Sequence, residues 1–168
     1  MIIGLIGKAQ AGKDTVGAYL VEHYGYKRIA LADKVKEIAI EQFGWDGQKD
    51  EKGRRLLQLI GTEVGRGYNL DIWVRHLDTK LGWSTTKDVV VTDVRFHNEA
   101  NYVKTHGGML IRVTGRGGLS NTGGTHPSEV EQETISADYT LHNESSLTAL
   151  YDQIDILMGD IRRESNGS

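Results

Sequence analysis

The chain has 168 residues, with 20 Lys and Arg against 23 Asp and Glu, a formal charge of -3 and no cysteine. That length supports one buried core; the slight acidity gives no general attraction to nucleic acid or an anionic membrane; and the lack of thiols excludes a disulfide framework or thiolate metal centre, which suits a cytoplasmic setting. No stretch approaches the ~20 apolar residues of a membrane helix, and the apolar run Met1 to Ile6 is too short for a signal-peptide core and has no basic flank.

In chain order, Ile2 to Ile6 is an apolar run stopped by glycine, the pattern of a buried strand, and Lys13 to Tyr24 follows with Val16, Tyr19, Leu20 and Tyr24 at helical spacing. A second strand is expected at Lys27 to Leu31, then a helix from Asp33 to Phe43 with Asp33 as its cap. Residues 44–53 are polar and turn-rich; Arg54 to Val64 and Asn69 to Leu81 read as two helices split by Gly65 and Gly67. Together, residues 44–84 or so form a helical insertion. Val89 to Thr92 is the most strand-like run and ends at Asp93; a helix over His97 to His106 and a strand over Met109 to Thr114 follow. The glycine-rich Arg116 to Thr125 and the acidic Ser128 to Glu133 predict a loop or lid within roughly 115–135. A last strand, Tyr139 to His142, and a helix from Ser145 to Ile161 close the single domain, with Arg162 to Ser168 as a frayed tail.

Strands alternating with helices predict an α/β fold, a mostly parallel sheet covered on both faces. Ligands of such sheets sit beyond the carboxyl ends of the strands. The 7–15 loop, Asp93 to Arg95 and Arg116 all follow predicted strands, so one edge of the sheet gathers them into one cleft.

"GLIGKAQAGKDT" at 4–15 nearly spells a phosphate-binding loop. Gly7, Gly12 and Lys13 are in place, but Asp14 stands where the hydroxyl residue belongs and Thr15 comes one step late. Glycines let successive backbone N–H groups converge on phosphate oxygens, the following helix adds its positive end, and Lys13 brings a mobile full charge. Asp14 is a hard oxygen ligand suited to Mg²⁺, with Thr15 beside it. The plainer alternative is a glycine turn whose aspartate serves the helix N-terminus.

An enzyme that moves phosphate between two anions needs cations outside that loop. Arg54, Arg55, Arg95 and Arg116 are the candidates. In "RRLLQLIGTE", Arg55, Gln58 and Thr62 share a helical face adjoining that of Arg54, Leu57 and Gly61, and could grip a phosphate and a base edge. Trp73 is either core or a wall of a base pocket. Asp93 could hold Mg²⁺ through water or hydrogen-bond the acceptor, and Arg95 with Glu99 four residues on reads either as a simple helix ion pair or as a phosphate-binding arginine oriented by a carboxylate. His126 near Glu129 lacks a second histidine at ligand spacing, which argues against zinc and for loop ordering or nucleotide contact.

In the order "GKAQAGKDT", "RRLLQLIGTE", "DIWV", "TDVRFHNEA" and "THPSE", these stretches resemble the tailed-phage deoxynucleoside monophosphate kinases over most of residues 1–155. The resemblance implies a P-loop, nucleoside monophosphate kinase-like fold with α/β/α layers and a five-stranded sheet. It also implies transfer of the ATP γ-phosphate to a deoxynucleoside monophosphate with Mg²⁺, and it allows a homodimer. By position, Gly7, Gln10, Gly12, Lys13, Asp14, Thr15 and Arg116 would bind ATP, with Asp14, Thr15 and Asp93 toward the metal. Lys8, Arg55, Gln58, Gly61, Thr62, Trp73, Arg95, Glu99, His126 and Glu129 would face the acceptor, and Lys13, Arg55, Asp93, Arg95 and Arg116 would carry the transfer. The rivals are a P-loop kinase of another small anion, and a nucleotide-binding switch with no acceptor.

Overall fold

The computed structural model describes residues 1–82, 88–115 and 127–166, and for 127–129 and 164–166 only the backbone. Five strands, β1 (Ile2–Ile6), β2 (Lys27–Ile29), β3 (Val89–Val91), β4 (Met109–Gly115) and β5 (Tyr139–Asn143), form one parallel sheet in the order β2-β3-β1-β4-β5. The central strand β1 sets Ile3 against Val90 on one side and Met109 on the other.

Alternation along the strands sorts the core into two slabs. Ile3 and Leu5 of β1, with Val90, pack against α1 (Lys13–Tyr24) and α7 (Leu147–Asn166) through Val16, Leu20, Leu150, Ile154 and Met158. Ile6, Val89 and Val91 face the opposite layer: α2 (Ala32–Phe43), α4 (Ile72–Leu81) and α5 (His97–Thr105), through Val35, Ala39, Leu77, Ala100 and Val103. The result is the expected α/β/α sandwich. At Gly4 a Cβ would lie 2.8 Å from Leu110 Cδ2 and 3.2 Å from Val103, so its bareness lets α5 lie close on the sheet.

Several local expectations change. β2 stops at Ile29 and α2 starts at Ala32, before Asp33. Asp33 instead pairs with Arg28 and Lys36 at 3.2 Å each, and the free amides of Leu31 and Ala32 both donate to the Asp93 carboxylate at 2.8 Å. The cap of α2 therefore comes from the end of β3, a tertiary contact that local sequence does not display.

The helix expected from Arg54 begins earlier, as α3 (Glu51–Gln58), because the Asp50 side chain accepts the Gly53 amide at 2.7 Å. It then widens into a π-helix, Leu59–Arg66. The indole N–H of Trp73 donates to the Gly61 carbonyl at 2.7 Å, and a Cβ on Gly65 would meet the same ring at 2.8 Å, so the wide turn is moulded around Trp73.

Within the span expected as a lid, Pro127–Thr134 is a helix, α6. Pro127 suits a first helical position, and Arg112 closes the other end by donating to the carbonyls of Gln132 (3.3 Å) and Ile135 (2.5 Å). α7 begins at Leu147 and continues through the expected frayed tail to Asn166, with Arg162 over the Tyr24 ring at 5.0 Å. At the open edge of the sheet, the Gln153 amide exchanges two hydrogen bonds with the His142 backbone, both 2.9 Å.

Candidate active site

The loop between β1 and α1 is built for close backbone approach. Gly7 sits at φ 147 and Gly12 at φ 106; a Cβ would lie 2.3 Å from the Val113 carbonyl oxygen at the first and 2.4 Å from Asn143 Nδ2 at the second. Neither position admits another residue without strain. Gln10 is also left-handed, at φ 63. Asn143, at the end of β5, holds the loop from outside by donating to the Ala11 carbonyl at 3.0 Å.

Lys13 curls over this loop. Its ammonium donates to the carbonyls of Gly7 and Lys8, the latter at 2.7 Å. Burial, reinforced by the positive Arg95, pushes its pKa down to about 8, while Asp14 and Asp93 pull it back up. A phosphate bound in the loop would set negative charge beside the ammonium and raise this pKa again. Asp14 is exposed and Thr15 half-buried, and among the described residues neither side chain has a hydrogen-bond partner.

At the end of β3, burial raises the pKa of Asp93, opposed by its two amide hydrogen bonds and by Arg95. Both carboxylate oxygens are thus engaged in holding α2, so a metal would have to use their remaining lone pairs. Arg95 is exposed, and among the described residues its guanidinium has no hydrogen-bond or ion-pair partner. The expected Arg95–Glu99 side-chain pair does not form. Glu99 Oε2 accepts the backbone amides of Arg95 (2.8 Å) and Phe96 (3.1 Å), and Oε1 lies 3.9 Å from Arg66. Burial raises Glu99 to about 7, with Asp93 adding to the rise and the two amides and Arg66 opposing it.

The expected acceptor residues divide. Arg55 is paired with Glu63, and Arg55 and Gln58 line an open depression of about 440 Å³ with Lys49, Asp50, Glu51 and Arg54. Gly61 and Thr62 are half-buried in the π-helix. Trp73 is 6% exposed with its N–H satisfied, so the ring serves packing; as a base-pocket wall it is replaced by a support of the π-helix. Lys8 forms an ion pair with Glu133 of α6 at 2.9 Å. Arg116 and His126 lie outside the described residues, as does the side chain of Glu129.

The structure therefore gathers the loop, Lys13, Asp93 and Arg95 at the carboxyl end of the sheet. Sequence reasoning missed Asn143 and Arg66. Nothing local marks Asn143, and Arg66 sits in a Gly-Arg-Gly triplet that reads as a helix break.

Comparison with known proteins gives the family and the fold. A family model described as deoxynucleotide monophosphate kinase matches residues 39–154, which span α3, the π-helix, α4 and the end of β3 but not the 7–15 loop. A protein of Acanthamoeba polyphaga mimivirus named for the same activity is 32% identical over 186 residues, covering 92% of this chain and 94% of its own length. Among solved structures, shikimate kinase from Aquifex aeolicus matches with TM-score 0.55 at 14% identity over 100% of both chains. Dephospho-CoA kinase from Campylobacter jejuni matches with TM-score 0.52 at 16% identity, covering 95% and 96%. These two show the P-loop kinase fold, while the family model and the viral relative, set beside a phosphate loop that faces Asp93 and Arg95, carry the closer assignment: the chain belongs to the deoxynucleotide monophosphate kinase family.

Proposed function

We propose that the chain transfers the γ-phosphoryl group of ATP to the phosphate of a deoxynucleoside monophosphate, yielding the diphosphate and ADP. The observation that carries this reading is the convergence of Lys13, wrapped on the loop, with Arg95, which has no guanidinium partner among the described residues yet lies near enough to depress the lysine pKa.

An acceptor phosphate oxygen attacks the γ-phosphorus in line as the bond to the β–γ bridging oxygen breaks. Lys13 holds β and γ oxygens, and Arg95 holds the acceptor or transferring phosphate, so both bring charge to where it accumulates. No general base is needed, because the acceptor phosphate is already ionised at neutral pH. The donor set fits Mg²⁺: Asp14 and Thr15 offer hard oxygens beside Lys13. Among the described residues no three His, Asp or Glu side chains converge as a cage, so the ion's other ligands would be phosphate and water. When bound, Mg²⁺ would neutralise β and γ oxygens.

The test is ADP formation from ATP and Mg²⁺ with each deoxynucleoside and ribonucleoside monophosphate, and with none. Acceptor-dependent turnover confined to deoxynucleotides, lost in Lys13→Ala and Arg95→Ala with folding intact, is the expected result. Full activity in both variants would remove the mechanism, and nucleotide binding without turnover on any acceptor would move the reading to a switch. Pairing of two chains, which the resemblance allows, can be read by light scattering on the same material.

A further inference from the structure

Arg66 ends the π-helix with a side chain only 10% exposed. Its guanidinium lies over the Phe96 ring, 3.5 Å from the centroid, and donates to Asn98 Oδ1 at 3.0 Å and to the Leu70 carbonyl at 3.2 Å. Asn98 returns hydrogen bonds to the Leu70 carbonyl and Asp71 Oδ1, both 2.8 Å. The carboxylate 3.9 Å from Arg66, Glu99, is the one whose other oxygen fixes the amides of Arg95 and Phe96. One planar cation thus joins the last turn of the acceptor helix to the first turn of α5 and, through Glu99, to the backbone that carries Arg95.

Adhesion alone does not call for this arrangement. Apolar side chains join two helices at least as stably as a buried ion pair does, whereas a guanidinium held by ring, amide, carbonyl and carboxylate fixes orientation. We propose that Arg66 is a positioning residue for phosphoryl transfer, locking the acceptor helix to the backbone at Arg95 so that this arginine meets the phosphate in register. The proposal rests on Arg95 being the phosphate-binding arginine.

The experiment is steady-state kinetics on the full chain for Arg66→Lys, Asn98→Ala, Arg95→Ala and the double variant Arg66→Lys/Arg95→Ala. ADP affinity is measured separately without acceptor. Misplacement by about an ångström can cost on the order of 100-fold, so Arg66→Lys is expected to lower kcat by about 10- to 100-fold and raise the acceptor KM, with ADP affinity within about twofold of wild type. Asn98→Ala, which removes no buried charge, is expected to lose less in the same direction and serves if the Arg66 variants fold poorly. In the Arg95→Ala background Arg66→Lys should cost little more, because the two act through one group. A loss fully repeated in that background, or a lowered Tm with kcat and acceptor KM unchanged, overturns the proposal alone. Wild-type turnover by Arg95→Ala overturns the reading of Arg95 and this proposal with it.

Discussion

Nucleotide binding to this loop should take up a proton at mildly alkaline pH. In the protein alone the Lys13 ammonium has its pKa lowered to about 8 by burial and by Arg95. Bound phosphates would restore it to the ordinary lysine range, near 10.5 or above. At pH 8.5 about three quarters of the nucleotide-free chains would hold a neutral lysine, so binding should absorb about 0.75 proton per ADP, against about 0.1 at pH 7. Affinity should be flat below pH 8 and fall toward tenfold per unit above it, roughly 30-fold between pH 7 and 9.5. The free protein behaves oppositely. Because the unfolded lysine keeps its proton up to about 10.5, stability of the nucleotide-free chain should rise with pH between about 8 and 10.5, relieving a penalty on the order of 3 kcal/mol. Calorimetry with ADP in two buffers of different ionisation enthalpy reads the uptake, with Lys13→Met as control. Uptake below about 0.2 proton at pH 8.5, or the same uptake in Lys13→Met, would refute the argument.

Gly12→Ala should destabilise by about 1–3 kcal/mol, since it combines a left-handed backbone with a clash against Asn143; shortening Asn143 as well should recover only the contact share, as read by Tm. Thr92→Val should be neutral or stabilising by about 1 kcal/mol, because the Thr92 hydroxyl is buried and has no hydrogen-bond partner among the described residues; a clear loss in denaturant midpoint would show that the hydroxyl is satisfied after all. Glu99 has its pKa raised to about 7, so the folded chain holds its proton more tightly than the unfolded chain and loses that advantage as pH rises from about 4.5 to 7. Glu99→Gln cannot titrate, and its Tm relative to wild type should therefore climb between pH 5 and 8; a constant difference would place the Glu99 pKa at its ordinary value.

The periodicities that locate β1, α1, β3 and α5 are local, and so were readable: Val16 and Leu20 recur at helical spacing whatever they pack against. Strand order is not local, since nothing in Val89 to Val91 says that it lies between β1 and β2. The π-helix depends on Trp73 reaching Gly61 from 12 residues away, and the start of α2 depends on Asp93 from 61 and 62 residues away. The phosphate loop was legible because its glycines are required by backbone conformation. The Arg95–Glu99 spacing was legible too, but not which atoms meet, because a carboxylate at that position can reach back to the amides at the helix start as well as to a side chain. Arg66 was hidden for the same kind of reason: flanking glycines mark a break in a helix pattern and say nothing of where the intervening side chain goes.

Gln153 has a consequence for the molecule in a crowded solution. A parallel sheet has two rims, each able to recruit a strand from a neighbour. At the β5 rim the Gln153 amide occupies donor and acceptor groups of His142 as a strand would, and at the other rim β2 is three residues long and begins with exposed Lys27 and Arg28. Sheet-to-sheet growth is blunted at both ends, so contact between copies would have to use helix surfaces, which can separate again without disturbing the sheet on which the phosphate loop is mounted.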